Sequence, residues 1–168
     1  MNTKEDYIGV LDSGVGGISV LRETVRLMPQ ENYLYYGDSL HAPYGVKPEA
    51  EIRRLTSCAA EKLVAAGAKA IVVACNTATS AAICLLREQY PELPVIGTEP
   101  ALKPAVEQFP GGRILVMATA MTIQQEKFRA LKRQYDAQAQ ILPVPCVGLM
   151  EYVERGELRS KAVMEYLA

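Results

Sequence analysis

Residues 70–79 read AIVVACNTAT, an apolar segment followed at once by a polar one that contains a cysteine. The apolar half predicts a β-strand covered on both faces, as in a parallel sheet. The polar half predicts the start of a helix that extends from Thr77 to Tyr90 and stops before Pro91. A strand that leads directly into a helix is half of a β–α–β unit, so this stretch predicts an α/β fold.

The same alternation continues in both directions along the chain. Apolar runs predict further strands, and amphipathic patterns predict helices between them. The predicted strands cover residues 7–11, 33–36, 94–97, 113–118 and 141–144, and the predicted helices cover 18–28, 48–66 with Gly67 as C-cap, 122–134 and segments from about 149. Repeated β–α order indicates a three-layer sandwich: a largely parallel sheet with helices on both faces. We expect a domain boundary near Gly97, between residues 1–97 and 98–168.

Composition excludes several classes of protein. The 168 residues are 49% hydrophobic and 22% charged, with a net charge of −1, which predicts a folded core rather than disorder. The longest basic run is the pair Arg53-Arg54, so we expect no nucleic-acid partner and no anionic membrane surface. We find neither a signal peptide nor an apolar run of spanning length, which predicts a cytoplasmic location.

The four cysteines, at positions 58, 75, 84 and 146, differ in their surroundings. No Cys-x-x-Cys pair occurs and His41 is the single histidine, so a metal site is not expected. Cys58 and Cys84 fall at apolar-face spacing within helices, which predicts core positions. Cys146 follows Pro145 at a strand end, and its role stays open.

Cys75 has the strongest physical case for chemistry. It follows a buried strand and precedes a helix, whose unpaired N–H groups and dipole favour a thiolate. The same helix start, with the hydroxyls of Thr77 and Thr79, is suited to holding a carboxylate. The alternative is a buried cysteine with a purely structural role.

The loop at residues 12–17, DSGVGG, allows three interpretations. Gly14, Gly16 and Ser19, with Asp38 after the second strand, nearly match a dinucleotide fingerprint. However, Asp12 would repel a pyrophosphate, so an ammonium-bearing substrate suits the loop better. In the third interpretation, Asp12 and Ser13 only cap the first helix.

Other polar residues near strand or helix ends are open to two interpretations each. Asp38 and His41 form either a proton-handling pair or an exposed loop, and Tyr44 is either functional or a turn residue. Thr119 and Thr122 either cap a helix or bind a ligand. Glu154 beside Arg155 is typical of a solvated surface pair.

Five segments, taken in order, resemble the glutamate racemase family within the aspartate/glutamate racemase superfamily. They are LDSGVGG at 11–17, YGD at 36–38 with PYG at 43–45, ACNTAT at 74–79, EPALKP at 99–104 and TAMTI at 119–123. The resemblance implies a cofactor-independent enzyme that interconverts L- and D-glutamate, supplying D-glutamate for peptidoglycan. It also implies two similar Rossmann-like lobes with the site in the cleft between them.

The same resemblance assigns roles to individual residues. Cys75 is a catalytic acid/base, and Asp12 assists its proton transfer. Glu154 supports the other side of the site, although residues 147–150 before it depart from the family's pattern. The substrate amino acid is held by Ser13, Asn76, Thr77, Thr119 and Thr122, and the pocket is lined by Pro43, Tyr44 and Gly45.

One family feature is missing from these 168 residues. The family carries its second catalytic cysteine in a Gly-Cys-Thr-His-Tyr-Pro-like segment, which does not occur here. Family chains are also longer, so we expect the second lobe to be incomplete and its exposed core to favour self-association, in the simplest case as a homodimer. The alternatives are an inactive module that binds an acidic amino acid and a dinucleotide-binding domain.

Overall fold

A parallel four-stranded sheet forms the centre of the first part of the computed structural model, which describes residues 6–168. The strands lie in the order β2-β1-β3-β4, and every neighbouring pair is parallel. Their bounds are Tyr7–Asp12 (β1), Asn32–Gly37 (β2), Ala68–Val73 (β3) and Val95–Gly97 (β4). β1 and β3 occupy the middle of the sheet, as expected for the two most apolar segments.

Three helices connect these strands: Ile18–Leu27 (α1), Glu49–Ala65 (α2) and Asn76–Gln89 (α3). Right-handed crossovers put α1 on one face of the sheet and α2 and α3 on the other, where these two helices pack together. Two short 3-10 turns, Ser39–His41 and Tyr44–Val46, separate β2 from α2. Gly67 follows α2 with φ of +97°, so the predicted glycine at this helix end is confirmed.

Cys58 and Cys84 are exposed, so the prediction that both lie in the core is wrong. Successive helix residues are separated by about 100°, and the buried face of α2 is centred on Ile52, Ala59 and Leu63. Cys58 therefore projects from the far side of α2. Cys84 has the same relation to the buried residues of α3.

The chain divides after Thr98 into two compact units, of which the second is Glu99–Ala168. The second unit contains a parallel pair of strands, Arg113–Ala118 (β5) and Gln140–Pro145 (β6). Its helices are Leu102–Gln108 (α4), Ala120–Gln124 (α5), Glu126–Tyr135 (α6), Leu149–Glu154 (α7) and Lys161–Leu167 (α8). Its core is formed by Leu102, Val106, Val116, Phe128, Ala139 and Ile141.

The helix predicted at 122–134 is in fact two helices, α5 and α6. Gln125 separates them in an extended conformation, with ψ of 142°. Thr122 and Phe128 are 1% and 3% exposed. Six residues correspond to about 600° of helical rotation, so on one straight helix these side chains would point about 120° apart. Breaking the helix lets both become buried.

The predicted α/β fold with a parallel sheet is confirmed. Among residues 6–168, no helix has both the length and the apolar character needed to cross a membrane.

Candidate active site

Three strands of the first sheet bring their polar ends to one edge. Asp12 pairs in register with Gly37, and Leu11 pairs with Val73, two residues before Cys75. The residues that follow β1, β2 and β3 therefore lie side by side at the carboxyl edge of the sheet, where parallel α/β folds bind their ligands. Asp12, Asp38 and Cys75 therefore converge on this edge.

Cys75 occupies the N-cap position of α3, with an extended backbone. Its Sγ accepts a hydrogen bond from the Ala78 N–H at 3.4 Å and donates one to Ser13 Oγ at 3.4 Å. Cys75 is 8% exposed. The thiol is thus buried between the start of α3 and the loop after β1.

The electrostatics of this thiol differ from the sequence-based expectation. Burial raises the pKa of Cys75, and the negative charge of Asp12 raises that pKa further. Hydrogen bonds from Ser13 and from the Ala78 N–H lower it, but they do not outweigh the first two effects. The helix start does favour the thiolate, through the Ala78 N–H, but burial and the charge of Asp12 outweigh it and leave the pKa of Cys75 raised above the ordinary thiol value.

Asp12 is built into the glycine loop. Its Oδ2 accepts a hydrogen bond from the Gly14 N–H at 3.0 Å, and Asp12 is 5% exposed. The Tyr35 hydroxyl donates to Gly14 O at 2.8 Å and supports the loop from β2. A Cβ at Gly17 would lie 2.6 Å from Asp12 Cβ, so only glycine allows α1 to begin this close to the carboxylate.

Two alternative interpretations of this loop lose support. The N-cap of α1 is Gly17, with no side-chain cap, so the interpretation of Asp12 and Ser13 as helix caps is wrong. The Asp12 carboxylate accepts the hydrogen bond of the Gly14 N–H, and a dinucleotide phosphate would need this same N–H group. Asp38, the expected ribose ligand, already contacts His41 and Tyr44.

Residues 76–79 divide between the surface and the interior. Asn76 is exposed at the start of α3, whereas Thr77 and Thr79 are buried. The Thr79 hydroxyl donates to the backbone carbonyl of Val73 at 3.2 Å, which explains its position without a ligand. The backbone N–H groups of this first turn, together with Asn76 and Thr77, are the groups suited to an anion.

A buried polar cluster follows β2, and sequence reasoning found only part of it. Asp38 is 6% exposed; its Oδ2 accepts a hydrogen bond from the Tyr44 hydroxyl at 2.7 Å, and its Oδ1 lies 2.8 Å from His41 Nδ1. The Asp38–His41 pair was one of the predicted alternatives. The bond to Tyr44 was not foreseen, although an aspartate that follows a strand inside an apolar fold must find a donor. Pro43 and Gly45 flank Tyr44 and are half-buried.

The remaining candidate residues belong to the second unit. Thr119 caps α5: its Oγ1 accepts the Thr122 N–H at 3.2 Å, and the two hydroxyls are 3.0 Å apart. The capping interpretation of Thr119 is therefore confirmed. Glu154 is the last residue of α7 and is half-buried, whereas its neighbour Arg155 contacts Glu157 Oε1 at 2.6 Å.

Metal binding and cross-linking have no visible basis in the described part of the chain. No group of three or more His, Cys, Asp or Glu is placed to hold a metal ion within residues 6–168. The four cysteines are free thiols. The groups available for chemistry at the carboxyl edge of the first sheet are thus a buried thiol, two buried carboxylates and the backbone N–H groups at the start of α3.

Comparison with known proteins gives consistent matches along the chain. The chain is 54% identical to a glutamate racemase of Clostridium acetobutylicum over 167 residues, which is 99% of this chain and 65% of the relative. It is also 54% identical to a Clostridium perfringens glutamate racemase over 164 residues, covering 98% of this chain and 63% of the relative. The chain thus spans a little under two thirds of the curated relatives it matches.

Solved structures give the same result. Glutamate racemase from Francisella tularensis in complex with D-glutamate superposes with a TM-score of 0.81 at 26% identity, covering 97% of this chain and 61% of that one. Escherichia coli glutamate racemase, solved with L-glutamate and the activator UDP-MurNAc-ala, superposes with a TM-score of 0.81 at 32% identity, covering 96% and 63%. The Asp/Glu/hydantoin racemase family matches residues 8–164. This chain, with a cysteine at the carboxyl edge of its parallel sheet, belongs to the Asp/Glu/hydantoin racemase family.

Proposed function

We propose that this chain is part of a glutamate racemase, which interconverts L- and D-glutamate without an organic cofactor or a metal. The observation that carries the proposal is the position of Cys75. Its buried thiol lies at the start of α3, in contact with Ser13 and within the field of Asp12. The names of the relatives, glutamate racemases at 54% identity, support glutamate as the substrate.

The proposed reaction begins with activation of the thiol. The Cys75 proton passes to the Asp12 carboxylate, and the resulting thiolate removes the α-proton of glutamate. The electron pair of the broken C–H bond stays on the α-carbon and spreads into the substrate carboxylate. A second acid then protonates the opposite face, since one group cannot easily serve both faces.

Substrate binding itself helps this activation. Burial raises the pKa of Cys75, and the charge of Asp12 raises it further. An ammonium group bound near Asp12 would offset that charge and lower the pKa of Cys75 again. Formation of the thiolate is thus favoured when an amino acid is bound.

The other roles proposed for this site follow the family resemblance. The N–H groups at the start of α3 are suited to the substrate carboxylate. Glu154 supports the other side of the site. We assign substrate binding to Ser13, Asn76, Thr77, Thr119 and Thr122, and the lining of the pocket to Pro43, Tyr44 and Gly45. We further propose a cytoplasmic enzyme that supplies D-glutamate for peptidoglycan and that self-associates as a homodimer.

A second candidate is an amino-acid-binding module without turnover. It is favoured by one observation: no segment of these 168 residues resembles the family's second catalytic cysteine segment. We therefore expect the 168-residue chain by itself to show no measurable racemisation, and a full-length form to be active. Cys75 alone could at most exchange the α-proton with solvent on one face.

One experiment separates these candidates. The 168-residue chain and a full-length form are each incubated with D-glutamate and with L-glutamate, and racemisation is followed by circular dichroism with a Cys75→Ala control. A thermal-shift series with glutamate, aspartate and NAD runs in parallel, because ligands that bind the native state stabilise it. Preferential stabilisation by NAD would refute the proposal, and glutamate binding without turnover in the full-length form would favour the binding module.

A further inference from the structure

Asp38 is the most deeply buried charged residue near Cys75 to which the proposed reaction gives no role. It is 6% exposed, and both of its carboxylate oxygens have a partner: Oδ2 accepts from the Tyr44 hydroxyl at 2.7 Å, and Oδ1 lies 2.8 Å from His41 Nδ1. A buried carboxylate is unfavourable unless it is hydrogen-bonded, and a hydrogen bond to a charged group is stronger than one between neutral groups. Such a residue restrains whatever it binds.

The residue that it restrains most strongly is Tyr44. This tyrosine is 2% exposed, and its 3-10 turn, Tyr44–Val46, packs against α3. Burial raises the pKa of Tyr44, and the hydrogen bond to Asp38 and the charges of Asp38 and Cys75 raise it further. The phenol therefore stays a hydrogen-bond donor at all ordinary pH values, and it lies within the electrostatic range of Cys75.

His41 holds the same carboxylate more loosely. Its side chain is 41% exposed, compared with 7% for the side chain of Asp38. The backbone N–H of Asp38 also donates to Asp12 O at 3.0 Å, which ties the start of this loop to β1. The loop after β2 is thus fixed at Asp38 by the backbone and at Tyr44 by the side chain.

We propose that Asp38 is a positioning residue, whose hydrogen bond to Tyr44 holds the loop at residues 43–45 against α3 and keeps Cys75 covered. The inference extends the proposed function, since residues 43–45 line the proposed substrate pocket. Whether this hydrogen bond limits access to Cys75 can be tested without glutamate.

The test measures the rate at which iodoacetamide alkylates each cysteine of the 168-residue chain, by peptide mapping. Access to a buried thiol follows local opening, and loss of a hydrogen bond to a charged group favours opening by about tenfold. We expect Tyr44→Phe and Asp38→Ala each to speed alkylation of Cys75 about tenfold, and the double variant to go no further, because both changes remove the same bond. Exposed Cys58 and Cys84 should keep their rates.

Two matched variants distinguish the hydrogen bond from charge and from general loosening. Asp38→Asn keeps an oxygen for the Tyr44 hydroxyl, and its amide can donate to His41, so we expect Cys75 to remain slow. His41→Ala leaves the Tyr44 bond in place and should change the rate by less than about twofold. Rescue by asparagine is a result that loss of packing alone would not produce.

Several outcomes would overturn the proposal. An unchanged rate in Tyr44→Phe would show that the bond does not control access, even if Asp38→Ala fails to fold. Equal acceleration of the buried Cys146 would indicate global loosening, and a fast Cys75 in Asp38→Asn would indicate charge rather than hydrogen bonding. Protection of wild-type Cys75 by glutamate is measured separately, so that failure of the proposed function leaves the access result intact.

Discussion

Two strand–helix junctions, one in each unit, share the same local geometry. After β3, the Cys75 side chain accepts a hydrogen bond from the N–H three residues on, at the start of the 14-residue helix α3. After β5, the Thr119 side chain accepts the corresponding N–H at the start of the five-residue helix α5.

The two junctions differ in what surrounds the capping atom. Cys75 contacts Ser13 and lies in the field of Asp12, whereas Thr119 shares its hydrogen bonding with the Thr122 hydroxyl. A thiol ionises within reach of neutral pH, but a hydroxyl does not. The cap fixes an atom in place, and neighbours from other strands decide whether this atom can move a proton.

Cys75→Ala gives the largest expected effect. In an active full-length form, loss of a general base lowers kcat by about 10²–10⁴-fold, while Thr119→Ala should lower activity by only about tenfold. Circular dichroism of each glutamate enantiomer measures both rates. Cys58→Ala, a change at an exposed thiol, is the matched control and should be silent. Equal losses in the Cys75 and Thr119 variants would remove the proposed difference between the junctions.

Thiol reactivity tests the electrostatic part of the comparison. Because the pKa of Cys75 is raised by burial and by Asp12, its thiolate fraction at neutral pH is small. We expect Cys58 and Cys84 to be alkylated well before Cys75, the reverse of what a helix-start thiolate predicts.

The pH dependence of this reactivity has a definite sign. The alkylation rate of Cys75 should rise with pH to a midpoint above the ordinary thiol value, and Asp12→Asn should move that midpoint down, because it removes a negative charge. Rates measured across a pH series by mass spectrometry give the midpoints. An unmoved midpoint in Asp12→Asn would mean that burial alone sets the pKa of Cys75.

Gly17→Ala tests the close packing at the carboxyl ends of β1 and β3, where Gly17 lies against Asp12 and Ala74. A Cβ at this position would lie 2.6 Å from Asp12 Cβ and 3.0 Å from Ala74 Cβ, so α1 or the strand ends must shift. We expect a loss of about 1–3 kcal/mol in the free energy of unfolding, measured with urea. Gly16→Ala is the control, since its Cβ would have its nearest neighbour 3.9 Å away. Equal stability of the two variants would contradict the described packing.

Loss of either capping side chain, at Thr119 or at Cys75, should produce the smallest effects, and these concern stability. Loss of an N-cap oxygen costs about 1 kcal/mol, and Thr119→Ser should restore it. Cys75→Ala should cost less than Thr119→Ala through capping, because a sulfur acceptor at 3.4 Å is weak. Urea unfolding of the three variants ranks them. A larger capping loss at Cys75 would show that this thiol, too, is chiefly structural.

Much of this arrangement could be predicted from local sequence. The apolar stretches at β1 and β3, the glycine after α2, and the cysteine between strand and helix all follow from short-range patterns, and the family resemblance is confirmed. The missed features have a common cause. Each depends on which surfaces pack together in the folded protein, and the spacing of apolar residues along the chain does not determine this packing. The missed features are the break at Gln125, the exposure of Cys58 and Cys84, and the Asp38–Tyr44 bond.

The sequence by itself determined the alternation of strands and helices, the residue types at each strand end and the position of Cys75 at a helix start, because each of these depends on neighbours along the chain. Only the tertiary structure decided the state of the thiol. The loss of solvent around Cys75 and, secondarily, the charge of Asp12 from a different strand raise the pKa of Cys75, against the effect of the helix start. Desolvation and through-space charge act between segments far apart in sequence, so they exist only once the sheet has assembled.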